Sequence, residues 1–126
     1  MLKAEPLRKP MLRDQLRALH AYDSVSGVQR AQQKDYQIAV NALGVNILRS
    51  GLCAALASVQ RLGKRGEVLL GHLATAGVPG LEGATAENLA QQVRELDADS
   101  YLMATRELLL VATWLKRAVQ ATFEEI

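Results

Sequence analysis

The stretch YLMATRELLLVATWLKRAVQA, Tyr101 to Ala121, decides the fold. Tyr101, Thr105, Leu108, Ala112, Leu115 and Val119 recur at spacings of four and three, which places them on one stripe of an α-helix. Ala104, Val111 and Ala118 widen that stripe, while Arg106, Thr113, Lys116 and Gln120 fall on the opposite side. The run holds no Gly or Pro and is rich in Leu and Ala, strong helix formers. An apolar face this broad requires several partner helices to cover it. Trp114, with Met103, Leu110 and Ala121, falls on the shoulder between core and solvent, a core edge or a partner contact.

Working outward, the rest of the chain is read in the same way. Of 126 residues, 49% are hydrophobic and only 4% aromatic, so the core is built from Leu, Val and Ala. Small, straight side chains favour close helix packing over a sheet sandwich. The expected architecture is all-α: a single compact bundle of five or six helices over residues 11 to 126, behind a basic, Pro-interrupted arm at residues 1 to 10. A first helix is expected from about Met11 to about Gln33, with a kink or break near Gly27 and an apolar stripe marked by Leu12, Leu16 and Leu19. Ala18, Ala21, Tyr22, Val25 and Val28 shift that stripe around the axis. The next helix is expected from Lys34 or Asp35, with Tyr36, Val40, Leu43 and Ile47 inward, and to end or bend at Gly51. Asn46, amid apolar neighbours, reads as a hydrogen-bonded core residue or a partner contact. Leu52 to Leu62 and Glu67 to Ala76 are further helices around the turn Gly63-Lys64-Arg65-Gly66. Thr85 is placed to cap a helix reaching about Leu96, and Asp97, Asp99 and Ser100 form the connector to the last helix.

Little in the chain suggests catalysis. His20 and His72 are isolated in sequence, and one Cys permits neither an intramolecular disulfide nor a zinc-like ligand set. No cofactor, metal or small-molecule substrate is indicated, and no catalytic residue is expected. Gly63-x-x-Gly66 follows a helix and lacks the other positions of a phosphate loop. The single Cys and the lack of a membrane-spanning run fit a cytoplasmic protein.

Charge is distributed unevenly. Residues 1 to 66 hold 11 Lys and Arg against 4 Asp and Glu; residues 67 to 126 hold 4 against 9. A basic half favours an anionic partner. Arg49, Arg61, Lys64 and Arg65 flank the ends of the third expected helix, and Arg17 approaches them if the first helix packs alongside. These five are the expected phosphate contacts. No aromatic residues interleave with them, so binding is to the phosphate backbone and without sequence readout.

Tyr101, Thr105, Glu107, Leu109, Trp114-Leu115-Lys116-Arg117 and Ala121 together resemble the C-terminal signature of the small-subunit family of the type III-B CRISPR effector, the Cmr complex. Tyr36, Val40, Leu43, then Ile47-Leu48-Arg49-Ser50-Gly51-Leu52, then Ala55-Leu56-Ala57 resemble the family's central stretch, and Arg17-Ala18, Ala21 and Val25 its first helix. Gly44 stands where the family often has Pro, and Ser58 where an aromatic residue is common. The similarity spans about residues 13 to 121. It implies a non-catalytic helical subunit lining an RNA-guided ribonucleoprotein beside the CRISPR RNA and its target RNA. The implied partners are the other Cmr subunits and further copies of the chain. Leu110, Trp114, Lys116 and Arg117 are the expected partner interface, with the basic half of one copy facing the acidic half of the next. A helical protein-interaction scaffold with no nucleic-acid role is the alternative.

Overall fold

A computed structural model describes residues 10–123. Among them are six α-helices and no strand: α1 (Arg13–Ser26), α2 (Arg30–Ser50), α3 (Leu52–Gln60), α4 (Lys64–Ala74), α5 (Leu89–Arg94) and α6 (Ala98–Thr122). The expected N-terminal arm lies, except for Pro10, outside the described residues.

α6 is the hub. Its buried face is Ala104, Leu108, Val111, Ala112, Leu115, Ala118 and Val119, with Tyr101 and Thr105 half-buried at the edge. α1, α2 and α5 all pack against it. α2 runs antiparallel to α6: Gly51 lies beside the Tyr101 hydroxyl, Gly44 opposite Leu109, and Tyr36 beside Phe123. Asp97 caps α6 by accepting from the Ser100 N–H at 2.8 Å, and that bond holds its carboxyl below the usual range. The expected connector at Asp97–Ser100 is thus the cap and first turn of the helix itself.

Two chain breaks have clear causes. Gly51 sits at φ 90°, a backbone region that disfavours side chains, so α2 stops and α3 restarts one residue later. The Tyr101 hydroxyl then accepts from the Cys53 N–H at 3.1 Å, satisfying a donor that the start of α3 leaves free. The expected break near Gly27 is complete: α1 ends at Ser26, Gln29 is extended, and α2 begins at Arg30, ahead of the expected start at Lys34 or Asp35. Around Thr85 the chain makes a turn before α5. Asn88 Oδ1 accepts from the Thr85 N–H at 2.7 Å and Thr85 Oγ1 accepts from the Asn88 N–H at 3.3 Å, so Thr85 closes a turn and does not cap α5, which starts later than expected, after Asn88 and without a side-chain cap bond.

α1 corrects the sequence reading. Leu12, Leu16 and Leu19 are exposed, at 72, 47 and 50%, whereas Ala21, Val25 and the following Val28 are buried. The reason is an ion pair. Arg17 Nε and Nη2 donate to the two Glu107 carboxylate oxygens at 2.7 and 2.8 Å, turning the Arg17 face of α1 toward α6. Ala21, with no side chain beyond Cβ, lets the two backbones approach.

Candidate nucleic-acid interface

The cations expected to meet RNA fall into three environments. Arg61, Lys64 and Arg65 cluster at the turn between α3 and α4. All three are exposed and none is in an ion pair among the described residues. The turn is built by Gly63, at φ 61°, with the Gly63 N–H bonded to the Gln60 carbonyl at 3.0 Å and the Gly66 N–H bonded to the Gly63 carbonyl at 3.0 Å. Lys64 and Arg65 occupy the first turn of α4, so the positive end of that helix adds to their field. Arg49, also exposed, ends α2, roughly 20 Å along that helix from the Asp35 turn that faces Lys64, at 1.5 Å per residue. Arg17 is committed to the buried pair with Glu107, its side chain only 15% exposed, which corrects its expected place among the phosphate contacts.

The expected partner residues Leu110, Trp114 and Arg117 form one stripe on α6, with Lys116 exposed beside it. Leu110 is 39% exposed and faces a groove with Pro79, Met103 and Arg106. Trp114 is half-buried at the core edge: its Nε1 donates to Asp14 Oδ1 at 2.9 Å, and the Arg117 guanidinium lies 5.0 Å from its ring centroid. Asn46 is half-buried on α2.

The polar residues of the C-terminal signature are therefore largely structural. Tyr101 caps α3, Thr105 Oγ1 donates to the Tyr101 carbonyl, Glu107 holds Arg17, and Trp114 holds Asp14. No group of three His, Cys, Asp or Glu converges among the described residues. No described helix is long and apolar enough to cross a membrane.

Sequence reasoning missed a part-buried polar link. His20 Nε2 donates to the His72 carbonyl at 2.8 Å, and the Tyr36 hydroxyl donates to His72 Nδ1 at 2.8 Å, with the proton of the neutral ring assigned to Nε2. The Tyr36 and His72 rings meet edge-on at 5.3 Å. The two histidines are 52 residues apart, so only the fold joins α1, α2 and α4 through them. Burial pushes the Tyr36 phenol above its ordinary range. Burial, helped by the neighbouring His20, lowers His72 to about 4. A folded value below the unfolded 6.5 means the unfolded chain binds the proton more readily between those two limits. Stability from a neutral His72 is therefore full above pH 6.5 and is lost as pH falls toward 4. The expected loss is about 2 kcal/mol once partial solvent access is allowed for. Urea midpoints measured across this range should fall for the natural chain and stay flatter in His72→Gln; equal slopes would disprove the assignment.

These features define a class: a small all-α protein whose signature residues brace the bundle and which carries three exposed cations on one turn. A model of the family "CRISPR-associated protein (Cas_Cmr5)" matches residues 13–122. The Cmr subunit Cmr5 of the CRISPR system of Thermus thermophilus is 35% identical over 114 residues, covering 90% of this chain and 97% of that protein. The crystal structure of a CRISPR-associated Cmr5 family protein from Thermus thermophilus superposes with a TM-score of 0.80 at 31% identity, covering 90% of this chain and 100% of that one. The chain belongs to the Cmr5 family, the small-subunit family of the type III-B CRISPR effector.

Proposed function

We propose that this chain is a non-catalytic, cytoplasmic small subunit that lines the channel for guide RNA and target RNA in a Cmr complex and stabilises the RNA through its phosphates. The observation that carries the reading is the exposed cluster Arg61, Lys64 and Arg65 on a Gly-framed turn, without an ion pair among the described residues. Three cations reaching out from one turn suit an irregular phosphate path, and the aromatic ring nearest them, Tyr36, is buried, which suits recognition without sequence preference. Arg49, at the end of α2, serves as a second, separate phosphate contact. The other Cmr subunits and further copies of this chain are the protein partners. Copies follow one another head to tail through the Leu110, Trp114, Lys116 and Arg117 stripe.

Binding of RNA by the assembled complex should fall linearly with log salt, each phosphate contact contributing a slope of about −0.7 to −0.9. The triple variant Arg61→Ala, Lys64→Ala, Arg65→Ala should flatten that slope by about two units and weaken all RNA sequences alike. An unchanged slope in a complex that retains the variant subunit would favour a protein scaffold with no nucleic-acid role.

A further inference from the structure

Leu12, Leu16 and Leu19 lie on α1 about half a turn around its axis from the buried Ala21 and Val25, and all three are exposed. Single exposed leucines need no explanation, but three in helical register form an apolar ridge. The ridge is fixed from its first residue, because Gln15 Oε1 accepts from the Leu12 N–H at 2.9 Å. Along one edge runs a hollow of about 250 Å³ to which Leu16, Arg13, His20 and Thr75 contribute. Arg13 places Nη2 on Glu107 at 3.0 Å and stays 58% exposed, so most of its donors remain available. Arg106 shares the adjoining groove with Arg13, is exposed, and is in no ion pair among the described residues. Glu107, the carboxylate between them, has both oxygens taken by Arg17. This edge of the ridge is therefore positive.

We propose that the ridge is the docking surface for an amphipathic helix of another subunit of the Cmr complex. Apolar side chains of that helix meet Leu12, Leu16 and Leu19, and carboxylates along one of its edges meet Arg13 and Arg106. The spacing of four and three asks for a helix as the partner, and the two cations ask for an acidic one. A second copy of the chain fits less well. Two α1 ridges laid antiparallel place Arg13 beside His20 and not beside a carboxylate. Three leucines also fall short of the roughly 800 Å² per partner that a stable free dimer buries, whereas a helix already held in an assembly needs less. RNA fits less well again, since bases stack on aromatic faces and the ridge is aliphatic. The inference rests on membership in the Cmr5 family and not on the RNA reading of the basic turn.

The test replaces the ridge. A chain carrying Leu12→Lys, Leu16→Lys and Leu19→Lys, and a second with Ser at the same positions, should melt as the natural chain does, because the ridge is exposed. Both should copurify with the other Cmr subunits about tenfold less well. Full incorporation of either overturns the proposal. The Ser variant should bind single-stranded oligouridylate as tightly as the natural chain; a loss there would give the ridge to RNA and overturn it. An unchanged salt slope in the variant at Arg61, Lys64 and Arg65 would refute the RNA reading and leave this result standing. Methyl NMR signals of the three leucines that shift when the natural chain alone is concentrated would assign the ridge to a second copy and also overturn it. Two synthetic helices with Leu at i, i+4 and i+7, one edged with Glu and one with Lys, test the chemistry. The Glu peptide should move the three methyl signals at about fivefold lower concentration than the Lys peptide. That preference should vanish in Arg13→Gln, Arg106→Gln. An equal response to both peptides, or none to either, overturns the acidic helix as partner.

Discussion

Gly66→Ala should lower the melting temperature by about 10 °C, the largest effect expected from adding one methyl group to this chain. Gly66 is buried in the first turn of α4, where α4 lies across the end of α3. A Cβ built there would stand 2.4 Å from the Val59 carbonyl oxygen, 3.0 Å from Val59 Cγ1 and 3.3 Å from Leu62 Cβ. The first of these is backbone, so no side-chain rotation relieves it and α3 and α4 must separate. Overpacking of that kind costs about 3 kcal/mol, which in a domain of this size corresponds to the stated shift. Gly71→Ala, farther along α4, is the control. The nearest atom to its Cβ would be Ala86 Cβ at 4.0 Å, an ordinary contact. There the better helix propensity of Ala adds up to about 1 kcal/mol of stability. Thermal unfolding followed by circular dichroism checks both, and equal melting temperatures for the two variants would sink the argument. The methyl group at position 66 also displaces Lys64 and Arg65, so RNA affinity should fall with stability in Gly66→Ala and not in Gly71→Ala.

That glycine shows where the sequence is readable and where it is not. The Gly63-Lys64-Arg65-Gly66 run announces a basic turn, because its glycines and its cations are neighbours in the chain. The identity of the residue that Gly66 must avoid is a tertiary fact. The same division holds elsewhere. The α6 stripe and the stop at Gly51 are local patterns, and the fold keeps both. The Leu12, Leu16 and Leu19 stripe is an equally good local pattern, and the fold leaves it in solvent. Periodicity gives the existence of an amphipathic face but not which of two competing faces turns inward. For α1 that choice is made by Arg17 meeting a carboxylate 90 positions away. The early start of α2 is of the same kind: Ala31 to Gln33 carry no inward apolar residue, so the helix there is held by its continuation and not by its own pattern. For the candidate interface, the contiguous cations Arg61, Lys64 and Arg65 were legible as a cluster. The separation of Arg49 and the inward turn of Arg17 depend on helix lengths and packing that spacing alone does not encode.

Glu107→Ala should cost about 3 kcal/mol, far more than any exposed ion pair in the chain. Glu107 is the one buried charged residue among those described, 8% exposed, and both its oxygens are taken by Arg17, with Arg13 Nη2 at 3.0 Å from the first. Removing the carboxylate strands the Arg17 guanidinium in a side chain only 15% exposed, and an unpaired buried charge carries a penalty of several kcal/mol that residual water access reduces. Arg13→Ala, by contrast, removes a side chain that is 58% exposed and should cost under about 1 kcal/mol. The double variant Arg17→Met, Glu107→Leu should recover much of the loss, since apolar groups of similar volume replace such pairs at little cost. The pH dependence carries its own sign. The hydrogen bond from Arg17 holds the Glu107 carboxyl below its usual 4.5, against the opposing effect of burial. A depressed folded value means the stabilisation is complete above pH 4.5 and disappears as pH falls through the folded value. Urea unfolding of the natural chain and of Glu107→Ala should therefore differ by a constant amount near neutral pH and converge below pH 4.5, a lower window than the one His72 governs. If Glu107→Ala costs no more than Arg13→Ala, the rotation of α1 is set by Ala21 and Val25 packing alone and the ion pair only follows it.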